Sequence, residues 1–411
     1  MTQILLTLYI TTTTLFLLPS IHLGFIYTHG LGKLFTVILF ALMVAKIYFQ
    51  KDSLKVPLIL SYLLLFYILT QGLSIINVQD ISTYIARFSQ IAVAITYFIV
   101  TVYLFQKKAF NLKKIYVSIL IATSTITTGL IMILVLNPDL FIHFFMMITA
   151  QGTIDIIRMN IERNRIYFDA YNESLLPILL YLLYKSNNFK YKAILGLLSS
   201  AIALLSFLTA FRTRVVMTIF AIIAFFITTV KDNAKKTLIF IPICLFIFLG
   251  FLILLQSTSE TNVIDRFQLT DERDVITIES RFEQASQAIE MAKSFPWTGT
   301  GLGNYYHYVD NPSSFNPYVA RFIRDIHQDA QLPHNIFFQH LAETGFLGFL
   351  SITLLLLYFV IIDFKIVFKE ENELKKIYAV SFWTLVVFGM LNPTLGMTYL
   401  ILFWGYRALL C

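Results

Sequence analysis

Runs of roughly 20 apolar residues, the length that crosses the hydrocarbon core of a bilayer, recur along the whole 411-residue chain. Hydrophobic residues make up 57% of the sequence and charged residues only 13%, which is too little charge to cover the surface of a water-soluble domain of this size. In lipid each run must satisfy its own backbone polar groups, and a helix does so. The sequence therefore predicts an all-α, polytopic membrane protein.

Twelve membrane-spanning helices account for these runs. The first begins near Ile4 with no Lys or Arg before it and no small-residue cleavage site after it, which favours a retained span over a removable signal peptide. The predicted spans are about 4–26, 31–48, 56–73, 88–105, 115–136, 166–184, 193–211, 215–230, 238–255, 336–364, 377–392 and 394–410. Spans one to nine thus occupy residues 1–255, a loop occupies residues 256–333, and spans ten to twelve occupy residues 334–411.

Lysine is concentrated in the connections that follow even-numbered spans. These connections contain Lys51, Lys55, Lys107, Lys108, Lys113, Lys114, Lys185, Lys190, Lys192, Lys231, Lys235, Lys236, Lys365, Lys369, Lys375 and Lys376. Short loops rich in Lys or Arg stay in the cytoplasm. We therefore expect both termini in the cytoplasm and the odd-numbered connections, including the 256–333 loop, outside it.

Arginine has the opposite distribution. Of twelve arginines, only Arg407 falls on the predicted cytoplasmic side. The others fall in outward connections or at their edges: Arg87, Arg158, Arg163, Arg165, Arg212, Arg214, Arg266, Arg273, Arg281, Arg321 and Arg324. Single arginines of this kind also snorkel from helix ends or pair with loop acids such as Asp271. As a set, their planar donor forks predict an outward pocket for a multiply charged phosphate ligand.

Neither the net charge nor the cysteines indicate other partners. The net charge of +7 comes from lysines on one membrane face and arginines on the other, which suits membrane lipid and a phosphate ligand and excludes a nucleic-acid partner. Cys244 lies inside an apolar run and Cys411 is the last residue, so the sequence predicts no disulfide framework and no thiolate metal site.

The 256–333 loop is predicted to contain an amphipathic helix over residues 279–293. Apolar residues recur there at helical spacing, with Ser280 as a candidate cap and Arg281 in the first turn. Pro296 is expected to end this helix.

A tight turn is predicted to follow, from Trp297 to Asn304. Its three glycines superficially resemble a nucleotide-binding loop, but no strand precedes them and the six-residue fingerprint is incomplete. The aromatic stretch that comes next, residues 305–308, suits either the lipid interface or stacking on sugar rings.

His334 and Asn335 immediately precede span ten. We expect His334 at the outer edge of the membrane, where a histidine either accepts a proton in catalysis or merely caps a helix. His340 and Glu343 follow within the span, but the six-residue spacing puts His334 and His340 on different helix faces, so no zinc site is predicted.

A pair of arginines, Arg212 and Arg214, occupies the predicted turn between spans seven and eight. The tips of helical hairpins usually contain Gly, Asn or Pro, and an unfavourable choice of residue often marks a functional site. Arg163 and Arg165 form a second outward group before span six, where Glu162 is available to pair with them.

Together these residues resemble the family of bacterial O-antigen ligases and O-antigen polymerases. The family pattern joins a glycine-containing turn, a His-Asn pair and a downstream Glu with two glycines. It is matched by Pro296, Gly299, Gly301, Gly303, Asn304, His334, Asn335, Glu343, Gly345 and Gly348. The family's Ser/Thr-Arg pairs look like Thr213-Arg214 and Ser280-Arg281, and Arg165 with Asn172 is similar to its Arg and Asn before the preceding span. The span pattern covers most of the chain, and the motifs cover residues 163–348.

The resemblance implies a membrane glycosyltransferase similar to the GT-C class, with a helical periplasmic loop between spans nine and ten. Such enzymes take a glycan from an undecaprenyl-diphosphate carrier. In the ligases the acceptor is the lipid A-core oligosaccharide of lipopolysaccharide, and in the polymerases it is a second carrier-linked glycan. The resemblance places the protein in the bacterial inner membrane with a periplasmic active site, and it implies no cofactor, no metal and no nucleotide sugar.

The predicted site is composite, because its residues come from separate outward segments. The leaving diphosphate develops negative charge that guanidinium groups stabilise. This assigns Arg214 and Arg281 to the diphosphate, with Arg165 and Arg212 as assistants. His334 is the candidate that accepts the proton of the acceptor hydroxyl or orients it, and Asn335 and Glu343 are further substrate-binding candidates.

Two alternatives to a ligase remain open at this point. A polymerase shares much of the pattern, although the His-Asn pair and the glycines favour the ligase. A transporter or flippase is also polytopic, but transporters usually carry ionisable residues or broken helices near the middle of the membrane. Here the ionisable residues gather at the outer ends, and Pro177 and Pro242 are the candidate kinks.

Overall fold

The computed structural model describes residues 2–20, 22–23, 26–107, 111–146, 171–209, 212–230, 272–310, 333–392 and 396–411. The α-helices in these ranges are α1 (Thr2–Leu17), α2 (Thr28–Gln50), α3 (Leu58–Leu73), α4 (Ile81–Gln106), α5 (Leu112–Leu136), α6 (Pro138–Met146), α7 (Leu176–Lys185), α8 (Phe189–Leu208), α9 (Arg212–Phe225), α10 (Glu272–Ser294), α11 (Tyr305–Asp310), α12 (Ile336–Lys369), α13 (Glu373–Leu391) and α14 (Met397–Leu410). Within the same ranges, β-pairing is limited to β1 (His22–Leu23) and β2 (Ile26–Tyr27). The all-α prediction is confirmed.

Eight helices in the described part of the chain are long and apolar enough to cross a membrane. They are α2, α3 with its 3₁₀ extension to Asn77, α4, α5, α8, α9 with its continuation to Thr229, α12 and α13. The shorter apolar helices α1 and α14 correspond to predicted spans one and twelve, and α7 corresponds to the second half of predicted span six. Predicted span nine, at 238–255, lies outside the described residues, as does the boundary at residue 255.

Large apolar side chains are exposed along the outer faces of these helices. On α3, for example, Leu58 is 68%, Ile59 62% and Tyr62 63% exposed. Water-soluble monomers rarely expose continuous apolar surface of this kind. Together with the helix lengths, these exposed apolar faces identify a polytopic membrane protein. The apolar side chains on the outside of the bundle face lipid.

Polar residues in the connections fix where several helices begin. Asp80, Asn111, Asn188, Asn335 and Asn372 each accept hydrogen bonds from backbone N–H groups of the first turn of α4, α5, α8, α12 and α13. These N–H groups have no partner within the helix, so a side-chain cap satisfies them.

The bundle is held together by aromatic packing between helices distant in sequence. α4 packs against α14, α3 against α12, and α9 against α13. The ring centroids of Phe98 and Trp404 lie 5.2 Å apart, and those of Phe359 and Phe382 lie 5.6 Å apart in an edge-on arrangement. Such pairs contribute roughly 0.5–1.5 kcal/mol beyond the area that they bury.

The helix of the large loop is longer than the sequence pattern predicts. α10 begins at Glu272, so Ser280 does not cap it and Arg281 lies in its middle, not in its first turn. Residues 272–280 contain neither Gly nor Pro, so nothing in this stretch interrupts the helix before Arg281. The predicted end before Pro296 is confirmed, because α10 stops at Ser294.

α10 is attached to the N-terminal end of α12. Its Ala288 and Met291 are fully buried in a cluster with Ala342 of α12 and with Tyr305 and Tyr308 of α11. The described part of the loop is therefore packed onto the helix that begins after His334.

Candidate functional site

Arg214 lies in the first turn of α9 and is only 4% exposed. Its Nε is 3.8 Å from Oε1 of Glu173, which is 2% exposed. Arg212 begins the same helix and is half-buried. Arg212 and Arg214 thus lie in the first turn of a helix, not in a turn between helices as the sequence predicts. Buried ionic groups are costly inside a membrane protein and are usually retained for function.

Glu173 is held in place by the 3₁₀ turn Asn172–Leu175, which precedes α7. The side chain of Asn172 accepts a hydrogen bond from Thr127 Oγ1 (2.9 Å) and donates one to Thr128 Oγ1 (3.0 Å), both on α5. Ser174 Oγ lies 3.1 Å from the hydroxyl of Tyr406 on α14. The turn is therefore fixed from two sides, and the carboxylate between these anchors faces Arg214.

The start of α9 carries two cations. Arg212 and Arg214 lie in its first turn, where the helix dipole already places a partial positive charge. Glu173 contributes a negative charge beside Arg214. Guanidinium groups suit phosphate, and the predicted role of the two arginines in phosphate binding stays a prediction.

His334 is positioned by the loop helix α10. Its Nδ1 lies 2.8 Å from Oε1 of Gln284. An amide oxygen only accepts hydrogen bonds, so this contact puts the ring proton on Nδ1 and makes Nε2 the acceptor nitrogen. Arg281, half-buried, lies three residues before Gln284 and therefore on nearly the same face of α10.

Asn335 has a different environment from the one expected of a substrate-binding residue. Its Oδ1 accepts from the N–H groups of Phe337 and Phe338, and its Nδ2 donates to the carbonyl of Met390 at 2.9 Å. The side chain thus caps α12 and ties it to the end of α13. Its predicted role in substrate binding stays a prediction.

The end of α13 connects the arginine group to the histidine group. The ring of Tyr171, beside the 3₁₀ turn, packs edge-on against Phe388 with 4.8 Å between centroids. Asn335 contacts Met390, two residues further along the same helix. Two residues rise by only about 3 Å in a helix, so the segment that contains Glu173 and the His334–Asn335 segment both contact the C-terminal end of α13.

The glycine turn is packed into a break in α12. Gly345 has φ 65° and ψ −164° and interrupts the helix. The exposed backbone of α12 then pairs with the turn through four hydrogen bonds: Thr300 N to Ala342 O (2.9 Å), Gly301 N to Glu343 O (2.8 Å), Phe346 N to Pro296 O (2.7 Å) and Leu347 N to Trp297 O (3.3 Å). The predicted turn is confirmed, but contacts distant in sequence hold it.

Glu343 supports this turn. It is 1% exposed, and its Oε1 accepts a hydrogen bond from the N–H of Gly303 at 3.1 Å. Arg87 of α4 packs against the same glycine, since its Cγ lies 2.9 Å from where a Cβ on Gly303 would stand. Glu343 is thus part of the frame around the turn, and its contact with substrate stays a prediction.

Asn304 fastens the other end of the turn to the connection before α4. Its Oδ1 accepts from the N–H groups of Gln79 (3.0 Å) and Asp80 (2.7 Å), and its Nδ2 donates to Asp80 O. Asn77 Nδ2 donates to Gly299 O at 2.8 Å. Sequence reasoning missed Asn77 and Asp80 because no motif includes them, and it gave no sign that Glu173 is the partner of Arg214.

The aromatic residues after the turn are mainly packing residues. Tyr305 is fully buried and donates to Gln287 Oε1 at 2.7 Å, and Tyr308 is 5% exposed and donates to the carbonyl of Asn77. Neither the lipid interface nor sugar stacking describes these two side chains. The helical spacing of the pair places both on the inner side of α11.

His340 points away from His334, as their spacing predicts. Its Nε2 lies 3.1 Å from the hydroxyl of Tyr67 on α3, while His334 contacts α10. Within the described ranges there is no group of three or more His, Cys, Asp or Glu side chains that could hold a metal ion. Arg165 lies outside the described residues.

Residues 174–353 match the family model of the O-Antigen ligase. This match confirms the resemblance to the O-antigen ligase and polymerase family, and it covers a little under half of the chain. Six of the predicted site residues lie inside the matched segment: Arg212, Arg214, Arg281, His334, Asn335 and Glu343. Arg165 precedes it. No curated protein matches the chain significantly.

The matched segment contains both Arg214 and His334. It begins one residue after Glu173, within the same 3₁₀ turn, and it ends inside α12 after the break at Gly345. In general terms, the match supports an O-antigen ligase or polymerase function of the glycosyltransferase type, acting on lipid-linked glycans in a membrane.

Proposed function

We propose that the protein is an O-antigen ligase. It transfers a glycan from undecaprenyl diphosphate to the lipid A-core oligosaccharide of lipopolysaccharide at the periplasmic face of the inner membrane. The observation that carries the proposal is the buried Arg214–Glu173 pair at the start of α9, together with the contacts that the Tyr171 and Asn335 segments both make with the end of α13. The family match over both arginine and histidine supports it. The lysine-rich connections support cytoplasmic termini.

In the proposed reaction the acceptor hydroxyl attacks the anomeric carbon of the carrier-linked glycan. A new glycosidic bond forms, the bond to the diphosphate breaks, and the diphosphate leaves with the electron pair. Arg214 and Arg281 stabilise this developing charge, assisted by Arg212 and Arg165. His334 takes the hydroxyl proton on Nε2, while Gln284 holds the ring through Nδ1.

Asn335 and Glu343 complete the proposed site. Asn335 positions the neighbouring His334 by capping α12, and Glu343 holds the glycine turn next to the start of that helix. We propose substrate contacts for both residues in addition to these structural roles. The reaction needs neither a metal nor a cofactor in this scheme, because guanidinium groups stabilise the leaving diphosphate.

Deleting the gene and separating the extracted lipopolysaccharide on a gel tests the proposal. Loss of a ligase leaves core without any O-antigen, while carrier-linked polymer accumulates. Core bearing a single repeat would instead identify a polymerase, a function that the family match supports equally. Normal lipopolysaccharide would exclude both functions.

A further inference from the structure

A cleft of about 820 Å³ opens at the end of the bundle away from the candidate site. It lies between the start of α3, the end of α4, the second half of α12 and the end of α14. Ile362 of α12 lines it, whereas the candidate site lies at Asn335 where α12 begins. At 1.5 Å per residue these positions are roughly 40 Å apart, so the cleft is separate from the proposed reaction.

Three basic side chains line the polar part of the cleft. They are Lys55, Lys107 and Arg407, and two of them are paired with a carboxylate. Lys107 is paired with Asp52 at 2.8 Å and Arg407 with Asp363 at 2.6 Å. Lys55 is exposed, and no ion pair of its ammonium group is found within the described ranges.

Two hydrogen bonds fix the backbone at Lys55. The backbone N–H of Lys55 donates to Oε1 of Gln106 at 3.0 Å, and Nε2 of Gln106 donates back to the carbonyl of Lys55 at 2.6 Å. This reciprocal pair joins the connection before α3 to the end of α4. Lys55 and Lys107 therefore stand on two segments that are fixed to each other.

The rest of the cleft is apolar and continues into the lipid-facing surface. Leu60, Tyr358 and Ile362 line it. Next to it, Ile59 is 62% and Ile361 57% exposed on the faces of α3 and α12. A ligand that fits both parts has an anionic group beside the lysines and hydrocarbon chains along these helices.

We propose that this cleft binds an anionic diacyl phospholipid, with the phosphate between Lys55 and Lys107 and the acyl chains along α3 and α12. Basic pockets between membrane helices on the cytoplasmic side bind such headgroups, and the lysine distribution predicts that this end faces the cytoplasm. Free phosphate shares the headgroup chemistry, but it would leave the apolar part of the cleft unused. The bound lipid would fasten the connection at 51–57 and the end of α4 at Lys107 to each other.

Native mass spectrometry of the full-length protein in detergent, with added phosphatidylglycerol or phosphatidylcholine, tests this proposal. Wild type should retain phosphatidylglycerol in clear preference to phosphatidylcholine. Each of Lys55→Gln and Lys107→Gln should weaken this binding about five-fold, since one lysine near a membrane surface contributes about 1 kcal/mol toward an anionic lipid. Lys190→Gln with Lys192→Gln removes two exposed lysines from α8 as the matched control and should leave binding unchanged.

A second variant tests the apolar part of the cleft. Ile362→Trp puts a larger apolar side chain into the cleft without altering its charge. It should weaken lipid binding as much as the lysine variants do. Equal binding of the two lipids by wild type would overturn the proposal. So would equal losses in the control and cleft variants, retention of lipid by Ile362→Trp, or full competition by millimolar inorganic phosphate. None of these outcomes depends on glycosyl transfer, so the proposed function is tested separately.

Discussion

Arg214 stands where a cation is ordinarily unfavourable, in the first turn of a helix whose dipole already places positive charge there. Glu173 offsets part of this cost at 3.8 Å, yet Arg212 adds a further cation to the same turn. An anionic ligand bound at this helix start would offset the remaining cost. Phosphate binding by Arg214 is therefore the proposal to test against a purely structural ion pair.

Replacing Arg214 tests whether the guanidinium itself is needed. Arg214→Ala should reduce transfer about a hundred-fold or more, the effect of losing one preorganised donor to a developing charge. Arg214→Lys keeps the charge but loses the planar fork, so we expect at least about a ten-fold loss. Single-turnover transfer in proteoliposomes measures both, with Lys293→Ala, an exposed cation of α10, as the control. Full activity of Arg214→Lys would show that charge alone suffices.

Asn335 allows capping to be separated from substrate binding. Asn335→Ala removes the cap of α12 and the bond to Met390, and it should destabilise the protein by about 1 kcal/mol or somewhat more. Asn335→Ser keeps a capping oxygen and should restore most of the thermal midpoint measured in detergent. If the serine variant is stable but inactive, Asn335 contacts substrate as predicted; if it is stable and active, the residue is a cap.

At the scale of elements, the glycine turn and the broken helix α12 depend on each other. Gly299 and Gly345 both have φ of +65°, and a Cβ on either would stand within 2.6 Å of the other's backbone nitrogen. Left-handed backbone costs a residue other than glycine about 1 kcal/mol or more, and the contact would also push the two segments apart. The pair explains why both motifs of the family pattern contain glycine at these positions.

Gly345→Ala should therefore lower the thermal midpoint strongly and expose the 297–304 turn to protease. Gly129→Ala in α5 is the matched control, because a Cβ added there would have no neighbour within 4 Å among the described residues. Alanine is favoured over glycine in a helix by about 1 kcal/mol, so the control should be neutral or slightly more stable. Equal effects of the two substitutions would contradict the packing described here.

The carboxylate of Asp80 makes the thermal stability of the protein depend on pH in the acid range. Its carboxylate caps α4, and the hydrogen bond from the Thr83 hydroxyl lowers the pKa of Asp80 below the ordinary aspartate value. A carboxyl with a depressed pKa stabilises the fold above its unfolded pKa and loses that contribution as the pH falls through the folded pKa. The thermal midpoint of wild type should thus fall more steeply than that of Asp80→Asn below about pH 4. Parallel profiles would show that the negative charge of Asp80 contributes nothing.

At the scale of the whole molecule, the sequence predicted most of the features that a lipid environment requires. Apolar runs of bilayer length became helices, and Pro296 marked the end of α10 correctly, because these features depend on local composition. The start of α10 was missed, since residues 272–280 continue the helix without a strong sequence signal. Local patterns also predicted the glycine turn, but they did not show that it packs against the break in α12.

The contacts of the site could not be predicted in the same way. Predicting the break at Gly345 requires knowing that Gly299 lies against it. Predicting the partner of Arg214 requires knowing that Glu173, forty-one positions earlier in the sequence, lies beside it. Arg214 and His334, which the motif resemblance selected, lie within the matched segment, and their roles stay predictions. The resemblance could not show that Asn335 and Glu343 also hold helices and turns together, because that information lies in long-range hydrogen bonds.

A buried ion pair at the other end of the bundle was likewise invisible in the sequence. Arg407 Nη1 lies 2.6 Å from Asp363 Oδ2, and both side chains are almost fully buried. Trp383 Nε1 donates to the same carboxylate oxygen at 2.9 Å, and the guanidinium lies 3.9 Å from the ring centroid of Phe359. The pair thus joins α12, α13 and α14 through one carboxylate.

Removing one partner of this pair should destabilise the molecule more than removing both. Asp363→Ala leaves the Arg407 charge buried without its carboxylate, which costs about 3–5 kcal/mol in comparable cases. The double variant Asp363→Leu with Arg407→Met buries no charge, and it should recover much of the loss, because apolar replacements of buried pairs are often neutral. Thermal midpoints of wild type, the matched single variants Asp363→Leu and Arg407→Met, and the double variant in one detergent measure the coupling. Additive losses would mean that the two charges do not depend on each other, and the three helices would then be held by aromatic packing alone.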